Sequence, residues 1–306
     1  MAAALMPHHA QQPHSIHEYR GLAHPPHFSR LESATHKIGQ VEPLSIDVDD
    51  AKGGFIPGFL HLPPDIFTTP AQPTGDTATK PATALPPHHH RTAAILLSGA
   101  GGGVAGPSSM YLSVACKLAT LGRGIPCLRL DYRYPAATGP CINDAKAGMA
   151  YLRDVYGLDR FVLIGWSFGG AVVFSVAAED PSVVGCATVA SQAAGCEGIE
   201  KLPPRPVLLM HGSADNTCDV GCSQRLFHMY GTGDRMLQVF EGDNHSLSGH
   251  AEEAEELLCE FVARCAGVRV GEQERREVVA AELVEGAERH ELMEKGGDLR
   301  APERED

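Results

Sequence analysis

Three residues of this chain have the types and the order needed to make a serine hydroxyl reactive. Ser167 lies in the run GWSFG, Asp215 follows the run HGSA, and His245 follows the run GDN. A serine hydroxyl is nearly unreactive at neutral pH, and enzymes activate it with a histidine base that a carboxylate orients. These residues therefore predict a catalytic triad in which Ser167 is the nucleophile, Asp215 the orienting acid and His245 the base.

The residues around Ser167 predict how its hydroxyl would be presented. Gly165 and Gly169 lie two positions to either side, between the apolar run FVLIGW and a run rich in small residues. A sharp strand-to-helix turn puts the serine at its apex, where these two positions must lack bulk. The motif by itself is weak evidence, because a structural glycine turn between a buried strand and a buried helix has the same residues.

Two residues compete with the other members of the predicted triad. Asp215 and His245 each lie three residues beyond the end of a predicted strand, where a sheet of parallel strands presents its reactive groups. Asp219 could replace Asp215, and His250 could replace His245, but each lies further from its strand end. His211 is expected to be a strand-end residue within the sheet.

A serine nucleophile also needs donors that stabilise the oxyanion formed by its attack. One expected donor is the backbone N–H of Phe168, directly after the serine. The other is expected from the glycine-rich loop LLSGAGGGVAGPSS (96–109), with Ala100 favoured and Gly101 as the alternative. The same loop does not match a phosphate cradle, because it lacks the G-K-[ST] ending and has Val104 where a dinucleotide motif requires glycine.

The elements that must position these residues alternate along the middle of the chain. Strand runs that are apolar almost throughout, separated by helical patterns, predict an α/β fold with a doubly wound, mostly parallel sheet and helices on both faces. A leading pair of antiparallel strands is expected at PLSIDVDD and GGFIPGFLHLP, and the core domain at residues 38–267. The predicted strands are 93–98, 125–133, 161–166, 183–190, 206–212 and 236–242, and the predicted helices are 109–121, 142–156, 169–178, 222–230 and 251–264.

The segments outside this pattern are expected to contribute little to the core. Residues 1–36, rich in His and Pro, and the Pro/Thr/His-rich loop 68–91 lack hydrophobic periodicity, which predicts disorder. Residues 271–306 form a charged tail with twelve acidic and six basic side chains. A helix from Glu272 to Glu294, ended by the glycines that follow, and a frayed appendage are equally compatible with that tail.

Composition limits the partners and the compartment. A chain of 306 residues that is 43% hydrophobic can bury a sizeable core, and its net charge of −13 includes no basic block that would favour nucleic acid or an anionic membrane. The nine scattered cysteines favour reduced thiols. We find neither a signal peptide at the start nor an apolar run long enough to span a membrane, and we expect a cytoplasmic location. The oligomeric state does not follow from the sequence.

Residues 93–264 resemble the α/β-hydrolase superfamily, particularly its lidless members similar to dienelactone hydrolases and serine esterases. The stretches that carry the resemblance are SGAGGG, DYRYP, GWSFGG, HGSAD and GDNHS. The resemblance implies hydrolysis of a small-molecule ester, thioester or amide through an acyl-enzyme, without a metal or an organic cofactor. It implies an enzyme of the carboxylesterase or thioesterase type, although a non-catalytic module that binds a small ligand or a protein partner has the same fold.

Two positions depart from the family pattern. Ser98 stands where a histidine commonly precedes the oxyanion glycine, and Ser167 stands where dienelactone hydrolases proper have a cysteine.

The connection SQAAGCEGIEKLPPR (191–205) is too short to form a helical lid. An uncapped site that accepts small acyl substrates is therefore expected.

Overall fold

A computed structural model describes residues 15–32, 37–64, 91–231 and 233–303 of the chain. Within these residues, eight strands form one sheet in the order β1-β2-β4-β3-β5-β6-β7-β8. The pairs β1–β2 and β2–β4 are antiparallel, and every other pair is parallel. The strands are β1 (Gln40–Asp47), β2 (Phe55–Leu62), β3 (Thr92–Leu97), β4 (Cys127–Leu130), β5 (Arg160–Trp166), β6 (Val183–Val189), β7 (Val207–Gly212) and β8 (Arg235–Phe240).

Helices cover both faces of this sheet. Alternate residues of a strand point to opposite faces, so that Ile95 and Leu97 are buried under the helices of one face while Leu96 is buried under those of the other. The predicted α/β architecture, with its leading antiparallel pair, is confirmed. The α-helices are α1 (Met110–Thr120), α2 (Thr138–Tyr156), α3 (Gly169–Glu179), α4 (Gly221–Met229), α5 (Ala251–Ala266), α6 (Glu272–Glu274) and α7 (Arg289–Gly296).

The prediction of disorder for residues 1–36 is wrong for residues 15–32. This segment forms two 3₁₀ turns, and Tyr19, Leu22 and Leu31 are buried against the domain. The buried guanidinium of Arg129 donates hydrogen bonds to the carbonyl oxygens of Leu22 and Ala23. A few apolar anchors and one buried cation stabilise the segment without any periodic pattern. Residues 1–14 and 33–36 of this stretch lie outside the described residues, and so do residues 68–90 of the predicted loop.

The boundary that ended the core domain at residue 267 is also wrong. Beyond α5 the chain continues through α6, a π-helical turn (Arg275–Val279) and α7, and it packs against the face that carries α1 and α5. The expected helix of residues 272–294 is broken into these short pieces. Five apolar side chains lie among the charged ones and are buried, namely Val278, Val279, Leu283, Val284 and Met293. None of the helices in the described ranges is long and apolar enough to cross a membrane.

Candidate active site

Ser167 lies at the turn between β5 and α3, at the edge where the parallel strands end. Its φ is 52°, a conformation that a non-glycine residue rarely adopts, and its N–H donates to Val189 O of the adjacent β6 at 2.9 Å. A Cβ on Gly165 would lie 2.5 Å from Gly169 O, and one on Gly169 would lie 2.6 Å from Ser98 O. The backbone around Ser167 is therefore so close-packed that both flanking positions require glycine.

The loops after β7 and β8 bring Asp215 and His245 together. His245 Nδ1 donates a hydrogen bond of 2.7 Å to Asp215 Oδ2, and neither side chain is exposed. The imidazole is also held by Trp166, whose ring centroid lies 5.5 Å away and whose Nε1 donates to His245 O. These contacts fix the orientation of the ring and leave Nε2 as the nitrogen that does not face Asp215.

His211, on β7, is a further partner of Asp215 that sequence reasoning placed only in the sheet. Its Nε2 donates to Cys218 O at 2.7 Å and lies 3.1 Å from Asp215 Oδ2, while Ser223 Oγ lies 2.7 Å from its Nδ1. The backbone N–H groups of Thr217 and Cys218 donate to Asp215 Oδ1.

These contacts determine the ionisation of Asp215. Burial raises the pKa of its carboxyl, but the hydrogen bonds from His211 and His245 outweigh burial and hold that pKa below its usual range. Asp215 is therefore a carboxylate at neutral pH. The signal available in the sequence for the role of His211 was a histidine four residues before the acid, in the run HGSAD.

The two competing residues have other contacts. Asp219 Oδ1 accepts the N–H of Gly221 at the start of α4. His250 Nδ1 donates to Asp243 Oδ2 at 2.8 Å, and Asp243 Oδ1 accepts from the backbone of the turn that carries His245. The structure thus pairs Asp215, not Asp219, with His245, not His250.

The glycine-rich loop after β3 runs alongside the serine, and Ser98 anchors it. Ser98 Oγ lies 2.9 Å from both Gly103 O and Asp298 Oδ1. Gly103 N–H donates to the buried Asp131. In this chain the loop is therefore anchored by Ser98 and by two aspartates, Asp131 and Asp298.

The predicted oxyanion donors differ in what the structure places beside them. Ala100 N–H is directed into the site, where it donates to a carboxylate oxygen of Glu303. Phe168 lies directly before the first residue of α3, next to Ser167. Its ring packs edge-on against Tyr132, with centroids 6.2 Å apart.

Glu303 is the residue of this site that sequence reasoning missed. Its Oε1 accepts a hydrogen bond from Ser167 Oγ at 3.1 Å and lies 3.2 Å from His245 Nε2. The expectation of an uncapped site is wrong for this structure, since Ser167 is only 4% exposed and His245 is fully buried. No lid follows β6, where the connection contains only a 3₁₀ helix (Glu197–Lys201); the C-terminal part of the chain covers the site instead.

The two carboxylates on either side of His245 control its charge. Burial lowers the pKa of the imidazole, but the hydrogen bonds and negative charges of Asp215 and Glu303 outweigh burial and raise that pKa to about 9. At neutral pH His245 is therefore an imidazolium ion between two carboxylates. A base that already holds its proton cannot take the proton of Ser167.

One group of side chains in the described part of the chain has the spacing of a metal site, and it lies away from Ser167. His27, Glu285 and Glu288 could each direct one ligand atom to a common point. Arg30 already donates to Glu285 Oε1 at 2.7 Å, and His27 Nε2 lies 3.1 Å from Glu288 Oε2. These contacts account for the group as a set of surface ion pairs between the N- and C-terminal segments.

The eight-stranded sheet and the helices on both of its faces define the fold. Residues 83–219 match the family model described as the alpha/beta hydrolase fold. The chain has the α/β-hydrolase fold, and the resemblance inferred from its motifs is confirmed.

Solved structures with this fold share little sequence with the chain. A dienelactone hydrolase from Anabaena variabilis is 17% identical over 74% of this chain and 98% of its own, with a TM-score of 0.56. An esterase domain from a Rhodothermus marinus protein is 19% identical over 74% and 98%, with a TM-score of 0.52. A serine hydrolase without a lid from Xanthomonas campestris is 17% identical over 73% and 94%, with a TM-score of 0.52. No curated protein sequence matches the chain.

Proposed function

We propose that this protein is a serine hydrolase that cleaves a small ester, thioester or amide through an acyl-enzyme on Ser167. The observation that carries the proposal is the buried 2.7 Å hydrogen bond between His245 Nδ1 and Asp215 beside a serine held at a φ of 52°. A structural glycine turn would need neither the strained serine nor the oriented histidine, since strain of this kind persists only where the surroundings enforce it.

The reaction proceeds in two acyl-transfer steps. Neutral His245 removes the proton of Ser167 Oγ as that oxygen attacks the substrate carbonyl, and Asp215 stabilises the imidazolium that forms. The imidazolium then protonates the leaving group, which departs and leaves the acyl-enzyme. Water attacks this ester with His245 again as the base, and the acid product and free Ser167 are released.

The negative charge that develops on the carbonyl oxygen is stabilised by backbone N–H groups. Ala100 and Phe168 are the proposed donors, and each such donor contributes about 2.7–4 kcal/mol to transition-state stabilisation in related sites. Ala100 is favoured over Gly101 because its N–H already donates to the carboxylate of Glu303 next to Ser167.

A small substrate is favoured by the chain around the site. The connection between β6 and β7 contains one short 3₁₀ helix and offers no helical lid to enclose a long acyl chain. We therefore propose an enzyme of the carboxylesterase or thioesterase type acting on short acyl groups, without a cofactor.

One observation favours a second candidate, a non-catalytic module that binds a ligand in the same cleft. Glu303 occupies the space between Ser167 and His245, and a cleft filled by a carboxylate suits binding as well as catalysis. The two candidates differ in whether Ser167 becomes nucleophilic when the cleft opens.

Labelling with a fluorophosphonate probe tests the proposal, because the probe reacts only with an activated serine. Wild-type protein is expected to be labelled, and Ser167→Ala is expected not to be. Ser191→Ala is the matched control, because Ser191 is a buried serine at the same edge of the sheet and its Oγ donates only to local groups. Absence of labelling in folded wild type and in a folded Glu303→Gln variant would reject the serine hydrolase and favour the binding module.

A further inference from the structure

The C-terminal segment (residues 297–303) enters the site, where its residue Glu303 contacts the groups that the proposed reaction requires. Glu303 is hydrogen-bonded to the nucleophile Ser167, to the base His245 and to the oxyanion donor Ala100. A substrate carbonyl must lie within hydrogen-bond distance of the same three groups. The carboxylate of Glu303 therefore occupies the position of the reacting acyl group, and its two oxygens resemble those of the acid product.

The segment is anchored along its length. Asp298 is fully buried, and its carboxylate accepts the N–H groups of Ala105 and Gly106 at 2.8 and 2.7 Å as well as Ser98 Oγ at 2.9 Å. Arg300 donates to Asp131 Oδ2 at 2.8 Å. Burial raises the pKa of Asp298 to about 7. The pair between Arg300 and the fully buried Asp131 is a charge-assisted contact, and such hydrogen bonds are among the stronger ones in proteins.

The glycine-rich loop has the shape that this segment needs. A Cβ at Gly99 would lie 2.1 Å from Glu303 Oε2, and a Cβ at Gly101 would lie 2.4 Å from Arg300 O. A Cβ at Gly103 would lie 2.5 Å from the carboxyl carbon of Asp298. Any side chain at these three positions would displace the segment. The loop therefore forms the surface on which residues 297–303 pack, and it also supplies the proposed oxyanion donor.

The rest of the C-terminal region holds the segment near the site independently of these contacts. In α7, Arg289 donates to the buried Glu255 at 2.9 Å, and Glu255 also pairs with the buried Lys117 at 2.8 Å. Gly297, with a φ of 82°, ends α7 and turns the chain toward the loop. Release of the segment from the site thus does not require α7 to leave the domain.

We propose that the C-terminal segment is autoinhibitory: it closes the active site with Glu303 in place of the acyl group, and the enzyme turns over only when the segment is displaced. This inference rests on the proposed function, since it assumes that Ser167 is a nucleophile in the open form. The closed form is inactive for two reasons, because the acyl position is filled and because His245 is held as an imidazolium.

The test compares the second-order rate constant of fluorophosphonate labelling at pH 7 in four full-length proteins. Glu303→Gln removes the charge that pairs with His245, and Arg300→Gln removes an anchor outside the catalytic groups. Glu294→Gln is the matched control, because Glu294 is an exposed glutamate on α7. We expect labelling at least about tenfold faster in Glu303→Gln, a smaller increase in Arg300→Gln, and the wild-type rate in Glu294→Gln.

The outcomes separate this inference from the proposed function. Labelling of Ser167 at one common rate in wild type and in both segment variants would overturn autoinhibition and leave the serine hydrolase standing. Slower labelling in Glu303→Gln would also overturn it, because Glu303 would then assist the reaction. Absence of labelling in every folded variant would reject both proposals.

Discussion

The pKa of His245 provides a direct measure of whether Glu303 controls the site. Two ionisable groups face the imidazole, Asp215 at 2.7 Å and Glu303 at 3.2 Å. His211 lies one contact further away, beside Asp215, and the Cys218 thiol is hydrogen-bonded with Ser167. Burial raises the pKa of this thiol to about 12, so that it stays neutral.

The perturbation is Glu303→Gln, which keeps the size of the side chain and removes its charge. Burial lowers the pKa of His245, but Asp215 and Glu303 together raise it to about 9. With that value, about 1% of His245 is neutral at pH 7. A neighbouring opposite charge raises a pKa by about 1–3 units, so its removal is expected to lower the pKa of His245 to about 8 or below and to increase the neutral fraction at pH 7 at least about tenfold.

The sign of the pH dependence follows from the same shift. Docking of Glu303 raises the pKa of His245, so the closed form binds the proton more tightly than the open form. The stabilisation of the closed form by this pair is complete below the pKa of the open form, and it is lost as the pH rises through about 9. Wild-type labelling is therefore expected to accelerate toward alkaline pH, and the rise is expected at lower pH in Glu303→Gln.

Trp166 allows the titration to be followed without any reaction. It is the only tryptophan of the chain, and its ring centroid lies 5.5 Å from that of His245. Because an imidazolium quenches indole fluorescence more than a neutral imidazole does, emission is expected to rise as His245 loses its proton. A fluorescence midpoint that is the same in wild type and in Glu303→Gln would refute the assignment of the raised pKa to Glu303.

Two further predictions concern the parts that position the nucleophile. Asp215→Asn is expected to lower the labelling rate constant of Ser167 by about 10⁴, because the imidazole loses its orienting acceptor, whereas Asp219→Asn is expected to keep the rate within about tenfold; a similar small loss in both would remove Asp215 from the triad. Gly165→Ala is expected to lower the free energy of unfolding by about 1–3 kcal/mol, since its Cβ would lie 2.5 Å from backbone atoms. Gly139→Ala, at a helical glycine with open space around it, is the control in guanidinium chloride titrations, and equal destabilisation of the two variants would contradict the crowding around Gly165.

Sequence patterns were sufficient for the sheet and for the order of the site residues. The strands before Ser167 and Asp215 are apolar runs, and such runs must be buried between two layers of helices, whereas the strand before His245 is a partly exposed edge strand. Parallel strands then bring their carboxyl ends to one edge, so residues 48 and 30 positions apart become neighbours for a reason that is visible in the sequence.

The sequence predicts the two terminal segments less well than the sheet, because the buried side chains of these segments follow no period. Tyr19 and Leu22 lie in a His- and Pro-rich stretch, and Met293 lies among charged residues, yet all three are buried. Such a segment is stabilised by single side chains that are buried in gaps of the domain surface. The local sequence does not predict these gaps, because they are formed by residues far away along the chain.

The sequence by itself determined the α/β sheet, the strained turn at Ser167 and the residues that follow the strands at its edge, because these depend on hydrophobic periodicity and on glycine at fixed spacing. Only the tertiary structure decided that His211 supports Asp215, that Ser98 and Asp298 anchor the glycine-rich loop, and that Glu303 closes the site. The contact between Ser167 and Glu303 joins residues 136 positions apart, and it depends on how the chain beyond α5 packs against the finished domain. A single glutamate in an acidic tail has the same local sequence whether it lies in solvent or between a nucleophile and its base.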